Sequence, residues 1–297
     1  MGLEWLWVPF TLGAALAQTA RNSLQRDLTI KVGTVGATHV RFLYGFPFAL
    51  LFLVLLSGAT GQWPPMPSGA ALGWALVGGL SQIVATALLL AAMRTQSFLV
   101  AIAYTKSEPV LVLSIAAFVL NESISPVQVA AIFTATGGVM LMSWPGRAQR
   151  GTDWLRPVLF GLGSGALFAV SAVSYRAGIQ TFEAGFVLSA TTMLVLSLAL
   201  QSVGLSAWLA WRDPATLRTL IETPLRSAPA GLAGAVASQL WFLAFALQTT
   251  ALVRTLALSE MLFAQVVTRR FFKQDVSPRD YAGVLALSAG LLGLFLG

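Results

Sequence analysis

Residues 107–126 read SEPVLVLSIAAFVLNESISP, and residues 259–278, which begin 152 positions later, read SEMLFAQVVTRRFFKQDVSP. Ser107-Glu108 recurs as Ser259-Glu260, and Ser125-Pro126 recurs as Ser277-Pro278. Serine before proline is a helix start. The hydroxyl accepts from an amide of the first turn, and proline lacks the amide that would go unbonded there. Gln128 and Asp280 stand at the third helical position, where an acceptor side chain completes a capping box or something close to it. The match extends backward: Phe10, Gly13 and Arg26 correspond to Phe160, Gly163 and Arg176 at an offset of 150. The chain reads as a duplication, with copies at 1–147 and 152–297.

Of the 297 residues, 57% are hydrophobic and 10% charged, against roughly 25% charged in an ordinary soluble domain. Too little charge is present to cover a water-facing surface, so the outside faces lipid. The net charge of +7 is spread in small groups rather than in a block that would grip nucleic acid. With no cysteine and a single His39, disulfides, thiol catalysis and Cys- or His-built metal sites drop out, and no cofactor is expected. Ala15-Leu16-Ala17 imitates a signal-peptide cleavage site, but Glu4 precedes it where a basic region would stand, so the first segment is expected to stay. Gly161, Gly163 and Gly165 imitate a dinucleotide fingerprint without the strand it needs, and read as close helix packing.

A helix needs about 20 residues to cross a hydrocarbon core about 30 Å thick. Apolar runs of that length predict ten spans, at 4–24, 34–56, 70–93, 97–120, 126–143, 157–178, 184–204, 227–247, 250–271 and 279–296. Five per copy is an odd number, so the second copy enters the membrane the other way round. The predicted fold class is an all-α polytopic membrane protein with ten transmembrane helices as two inverted five-helix repeats. Most of the 18 Lys and Arg, among them Arg21, Arg26, Lys31, Arg212 and Arg218, fall in connections 1–2, 3–4, 5–6, 7–8 and 9–10, with Arg176 on the other side. By the positive-inside rule those connections are cytoplasmic and both termini external. The longest connection, 205–226, holds no soluble domain. Trp5, Trp7, Trp63, Trp144, Trp154, Trp208 and Trp211 lie near span ends as an interfacial belt, and His39 reads as interfacial at the mouth of span 2.

Glu108-Pro109 inside span 4, Asn121-Glu122 and the short turn before span 5, and Arg41-Phe42 near the start of span 2 resemble the EamA branch of the drug/metabolite transporter superfamily, over nearly the whole chain. The second copy departs from the pattern, with Met261 in place of the proline and Gln274 where the first copy has Glu122; Asn121 stands at the family's usual Gly. The resemblance implies two EamA-like repeats in a cell membrane, here the bacterial inner membrane. It implies export or exchange of amino acids, other metabolites or drugs, with YddG-like exporters among the relatives. It also implies cytoplasmic termini, opposite to the loop charges.

Ionisable groups at mid-membrane cost about 2.5 to 3.5 kcal/mol each, so they are rare and face a bundle interior or water. Glu108 and Glu260 lie near the middle of equivalent spans, with Lys106 and Arg254 in the same spans. Either the acids shape a central cavity that binds an ammonium or a proton, or each pairs with a base of the other copy, Glu108 with Arg254 or Glu260 with Lys106. Pro109 removes an amide from span 4 and predicts a helix break there. Gln18 with Asn22, Gln82 with Thr86, Tyr104 with Glu108, and Ser171 with Tyr175 each sit four apart on one helix face. Gln239 stands beside Trp241. Together Gln18, Asn22, Gln82, Tyr104, Glu108, Tyr175, Gln239, Trp241 and Glu260 are the candidate substrate-binding residues; taken singly, each also suits an interhelical hydrogen bond. The small residues of spans 5 and 10, including Gly137, Gly138, Gly283 and Gly290, suit scaffold or dimer contacts.

These features point to a secondary transporter of small organic solutes, monomeric or homodimeric, whose partners are its substrate and the bilayer. The alternatives are a lipid flippase, or an intramembrane lipid-modifying enzyme. The enzyme needs a Ser/His, His/Asp or paired-acid metal constellation that the sequence does not offer.

Overall fold

The computed structural model describes residues 3–95, 104–142, 155–262 and 278–297, and every regular element among them is helical. A 3-10 turn at Leu3–Leu6 leads into α1 (Trp7–Leu43), which contains one residue with non-helical dihedrals, Gly33 at φ 69° and ψ 178°. That region of backbone space is essentially glycine's alone. Gln25 donates from Nε2 to the Ala37 carbonyl at 2.8 Å, although twelve residues of straight helix would separate them by about 18 Å. The chain therefore folds back at Gly33, and α1 is two arms joined at a tight turn.

The second arm continues into α2 (Gly45–Thr60), followed by α3 (Gly69–Thr95), α4 (Glu108–Leu120), α5 (Pro126–Met142) and α6 (Leu155–Ile179). Then come α7 (Phe186–Arg212), α8 (Pro214–Glu222), α9 (Pro224–Leu247), α10 (Thr250–Leu256) and α11 (Pro278–Gly293). Among the described residues five stretches are long and apolar enough to cross a membrane: Leu3–Thr60, which Gly33 divides, Gly69–Met93, Leu155–Ile179, Phe186–Arg212 and Ser227–Leu247. Glu108–Leu120 and Pro126–Met142 are shorter apolar helices. The chain is a multi-pass membrane protein.

The most extensive packing joins α3 to α6, α1 to α9 and α5 to α11, and α4 also packs on α6 and α2 on α7. The α5–α11 seam is backbone against backbone. A methyl group on Gly138 would sit 2.6 Å from the Leu287 amide nitrogen, and one on Gly290 would sit 2.5 Å from that of Ala135. Gly138, Gly283 and Gly290 are thus covered within one chain, where they pack α5 on α11, while Gly137 faces outward. At the start of α5 the reciprocal capping box is formed, with the Gln128 amide donating to Ser125 Oγ at 3.2 Å and the Ser125 amide to Gln128 Oε1 at 3.3 Å. Asn121, at φ 53°, ends α4 in the left-handed conformation that asparagine tolerates best after glycine.

Several expectations change. Arg21 is no loop base; it lies inside α1 and is 1% exposed, because the first arm runs about two turns past residue 24. His39 is fully buried, with Nε2 2.8 Å from Ser206 Oγ, since the turn at Gly33 carries the second arm straight into the bundle. Trp7 is core, stacked on Phe295, whereas Trp5, Trp63, Trp208 and Trp211 are exposed. Most of the 205–226 connection is helix: α7 runs to Arg212, Asp213 caps α8 by accepting from the Thr216 amide at 3.1 Å, and the Tyr44 hydroxyl ties α8 down at the Leu220 carbonyl. The early part of span 4, the end of span 9, the junction between the copies at 147–152, the cap at Ser277, Gln274, Trp144 and Trp154 lie outside the described residues.

Candidate functional site

Two helix breaks set the site. Tyr104 and Thr105 are helical, Lys106 and Ser107 form a turn, and α4 resumes at Glu108 with Pro109 in its first turn. Pro109 has no amide to donate backward, and Ser107 Oγ donates instead to the Tyr104 carbonyl at 3.0 Å. In the second half of the chain α10 tightens into a 3-10 turn at Ala257–Ser259 immediately before Glu260, without a proline. Both Ser-Glu positions thus follow an irregular turn. A glycine of α6 lets that helix press against the first one: a methyl group on Gly165 would lie 3.0 Å from the Thr105 carbonyl oxygen.

The acids and bases of the two breaks cross over. Glu108 Oε1 lies 3.0 Å from Arg254 Nε, and Glu260 forms an ion pair with Lys106 Nζ. All four side chains are about a tenth exposed. Thr19 Oγ1 also donates to Glu260, at 3.4 Å. The Arg254 guanidinium lies over the Trp241 ring at 4.2 Å and the Phe245 ring at 5.2 Å, a cation–π arrangement that partly replaces lost hydration. Trp241 Nε1 in turn donates to Gln18 Oε1 at 3.2 Å.

A second polar group is built from α3, α6 and α7. The Tyr175 hydroxyl donates to Gln82 Oε1 at 3.1 Å and accepts from Ser197 Oγ at 2.7 Å, while Gln201 Nε2 donates to Gln82 Oε1 at 3.0 Å and to the Gly79 carbonyl at 3.1 Å. Tyr175 packs on Phe242, next to Trp241 in α9, with ring centroids 4.6 Å apart. Gln239 faces a different neighbour, donating to Thr191 Oγ1 at 2.9 Å. Asn22 Oδ1 accepts from Arg21 Nη2 at 2.7 Å.

The structure therefore gathers Gln18, Trp241, Glu108, Arg254, Lys106 and Glu260 in one cluster and Gln82 with Tyr175 in another, and sets Gln239 apart. Ser197 and Gln201 of α7 escaped the sequence reading, though they share the four-residue spacing that marked the other spans. Ser238, Arg21 and Arg41 also belong to the interior, whereas Thr19 is exposed. Arg41 Nη1 donates to Thr86 Oγ1 and Nη2 to Ser238 Oγ, each at 3.3 Å. On the far side of the bundle Glu122 pairs with Arg176, whose Nη1 also donates to the carbonyls of Phe245 and Gln248 at the end of α9.

A separate apolar groove of about 430 Å³ runs between the second arm of α1, α3 and α7, lined by Val35, Ile83, Leu200 and Trp208 among others. Gln201 is among its lining residues. No group of three or more His, Cys, Asp or Glu placed to hold a metal occurs among the described residues.

Among solved structures, one crystal structure superposes on 98% of this chain and 96% of its own, with a TM-score of 0.66 at 13% identity, which is a likeness of fold. No curated protein sequence matches the chain. Residues 5–144 match the model of the EamA-like transporter family. The first half of the chain is thus similar to the EamA-like transporter family.

Proposed function

We propose that the chain is a secondary transporter of small organic solutes, built from two oppositely threaded five-helix copies that rearrange around the interior polar site. The observation that carries this reading is the pair of crossed ion pairs, Glu108 with Arg254 and Lys106 with Glu260, at equivalent helix breaks inside an apolar bundle. Irregular backbone and paired charge at membrane depth are tolerated where they line a cavity. The packing supports the two-copy plan. Exchanging the copies turns the contact of α1 with α9 into that of α6 with α3, and leaves the α5–α11 and α2–α7 contacts as they are. A twofold relation requires that behaviour.

Binding solute on one side and releasing it on the other requires the two halves to rock about a fixed site, and the crossed pairs tie each half to the other. A pair that opens and closes as the halves move would act as a gate. No Walker A sequence is present, so direct drive by ATP is not part of the proposal. Counterflow in proteoliposomes loaded with pooled amino acids, organic acids and organic cations tests the reading, with Glu260→Gln as comparison. Uptake above protein-free liposomes, reduced in the variant, is the expected result; flux equal to protein-free liposomes for every solute would end it. The apolar groove beside α3 and α7 favours one second reading, lipid translocation, which a fluorescent-lipid scrambling assay in the same vesicles separates from solute flux.

A further inference from the structure

Among the described residues the interior carries more positive than negative charge. Four bases, Arg21, Arg41, Lys106 and Arg254, are each less than a tenth exposed. Two carboxylates face them among the described residues, Glu108 and Glu260, and these are paired with Arg254 and Lys106. Arg21 and Arg41 have no carboxylate within 4.0 Å among the described residues, and their partners are neutral: Asn22 for one, Thr86 and Ser238 for the other. Arg21 Nε and Nη1 and Arg41 Nε are buried without any hydrogen-bond partner.

The two side chains converge. A methyl group on Gly234 of α9 would lie 3.2 Å from Arg41 Cγ and 3.4 Å from Arg21 Cδ, so both stems run past the same bare stretch of helix. A guanidinium cannot shed its proton to escape burial, as a lysine can. Leaving one desolvated without a counter-charge costs several kcal/mol. A negative group arriving from elsewhere would offset that cost, and a transporter receives such a group with its cargo. Planar forked donors match carboxylate and phosphate oxygens two at a time. An ammonium, by contrast, finds no unpaired acid among the described interior residues, because Glu108 and Glu260 are already in ion pairs.

Resting on the transporter reading above, we infer that the cargo is a small organic anion, bearing a carboxylate or phosphate group that Arg21 and Arg41 hold between them. A dianion matches the two uncompensated charges better than a monoanion. A zwitterionic amino acid would present its carboxylate well and its ammonium badly.

The test uses the purified full-length protein in detergent at constant ionic strength, with thermal unfolding read against three pools. One contains acetate, succinate, phosphoenolpyruvate and inorganic phosphate; one contains leucine and glutamine; one contains choline and tetraethylammonium. The anion pool should raise the midpoint and the other two should not, and succinate should stabilise at lower concentration than acetate. Arg21→Gln and Arg41→Gln should each weaken the effective anion by about tenfold or more. Arg21→Lys and Arg41→Lys, which keep the charge and lose the fork, should weaken it less and serve if the glutamine variants do not fold.

No stabilisation by the anion pool, or stabilisation equal in all four variants, overturns the inference. Flux of the binding anion in proteoliposomes separates the two readings. Anion binding without flux leaves the arginine site and removes the transporter. Flux of leucine or choline without anion binding leaves the transporter and removes the anion.

Discussion

Arg254 Nε lies 3.0 Å from Glu108 Oε1, and the same guanidinium covers Trp241, which is itself tied through its indole N–H to Gln18. One ion pair thus links α4, the α9–α10 region and the first arm of α1. Removing one partner of a buried pair is worse than removing both, because the survivor stays desolvated. Glu108→Gln should therefore destabilise the protein by about 3 to 5 kcal/mol. Glu108→Leu combined with Arg254→Met should recover most of that loss. Chemical denaturation in mixed micelles measures both. Equal stability of Glu108→Gln and wild type would mean that the pair contributes no net energy.

Gly33 makes the hairpin on which the burial of Arg21, Gln25, His39 and Arg41 depends. Its dihedrals, φ 69° and ψ 178°, lie where a Cβ clashes with its own backbone, while no neighbouring atom stands within 4 Å of the added methyl. The penalty of Gly33→Ala is then conformational only, about 1 to 3 kcal/mol. Gly58, inside α2 with equally open space, is the control. There alanine should stabilise by about 0.5 to 1 kcal/mol through helix propensity. Unfolding midpoints that move in the same direction for the two variants would contradict the turn.

Asp213 caps α8 from a fully exposed position. The Thr216 hydroxyl and amide hold its carboxyl below the ordinary aspartate value of 3.8. A group whose acidity is raised by folding stabilises above its unfolded pKa, and that contribution disappears as pH falls through the folded value. Anchoring of α8 should therefore be full at neutral pH and fade only in the acid range below about 4. Asp213→Asn keeps a capping oxygen without the charge and should flatten that acid dependence. Asp213→Ala should speed amide exchange across residues 214–222 several-fold at neutral pH. Exchange followed by mass spectrometry reads both effects.

How much of this was legible in the sequence depended on whether a signal was local. The duplicated Ser-Glu dipeptides and the Pro109 break are short-range patterns, and the structure sets Glu108 and Glu260 at irregular turns with their side chains about a tenth exposed, each paired with a base from the other half of the chain. A charge near a span boundary is assigned to the water side, which makes Arg21 a loop base, and Arg41 falls within span 2 without joining the candidate site residues. The fold-back at Gly33 sets both inside the bundle. His39 went astray in the same way. Ser197 and Gln201 carried the right spacing, but α7 has no ionisable side chain inside the bundle to draw attention to it. The neighbour that completes each hydrogen bond belongs to another helix, and no single-span pattern names it.

The α5–α11 seam offers the sharpest contrast between adjacent residues. A methyl group on Gly138 meets the backbone of Leu287 and Gly283 at 2.6 and 2.7 Å, and backbone cannot rotate aside as a side chain can. The neighbouring Gly137 meets nothing within 4 Å. Helix propensity favours alanine over glycine at both positions by the same amount, about 1 kcal/mol, so any difference between the two variants isolates packing. Gly138→Ala must prise the helices apart, a net loss of about 1 to 3 kcal/mol typical of an overpacked interior. Gly137→Ala should be neutral or slightly stabilising. Across the seam Gly138, Gly283 and Gly290 meet Leu287, Met142, Ala131, Ala135 and one another, and none of the polar residues of the site. The loss should therefore appear in unfolding and in the yield of folded protein, while the affinity of surviving molecules for their solute stays that of wild type. If Gly137→Ala proved the more damaging of the two, the register of α5 on α11 would be wrong by one residue.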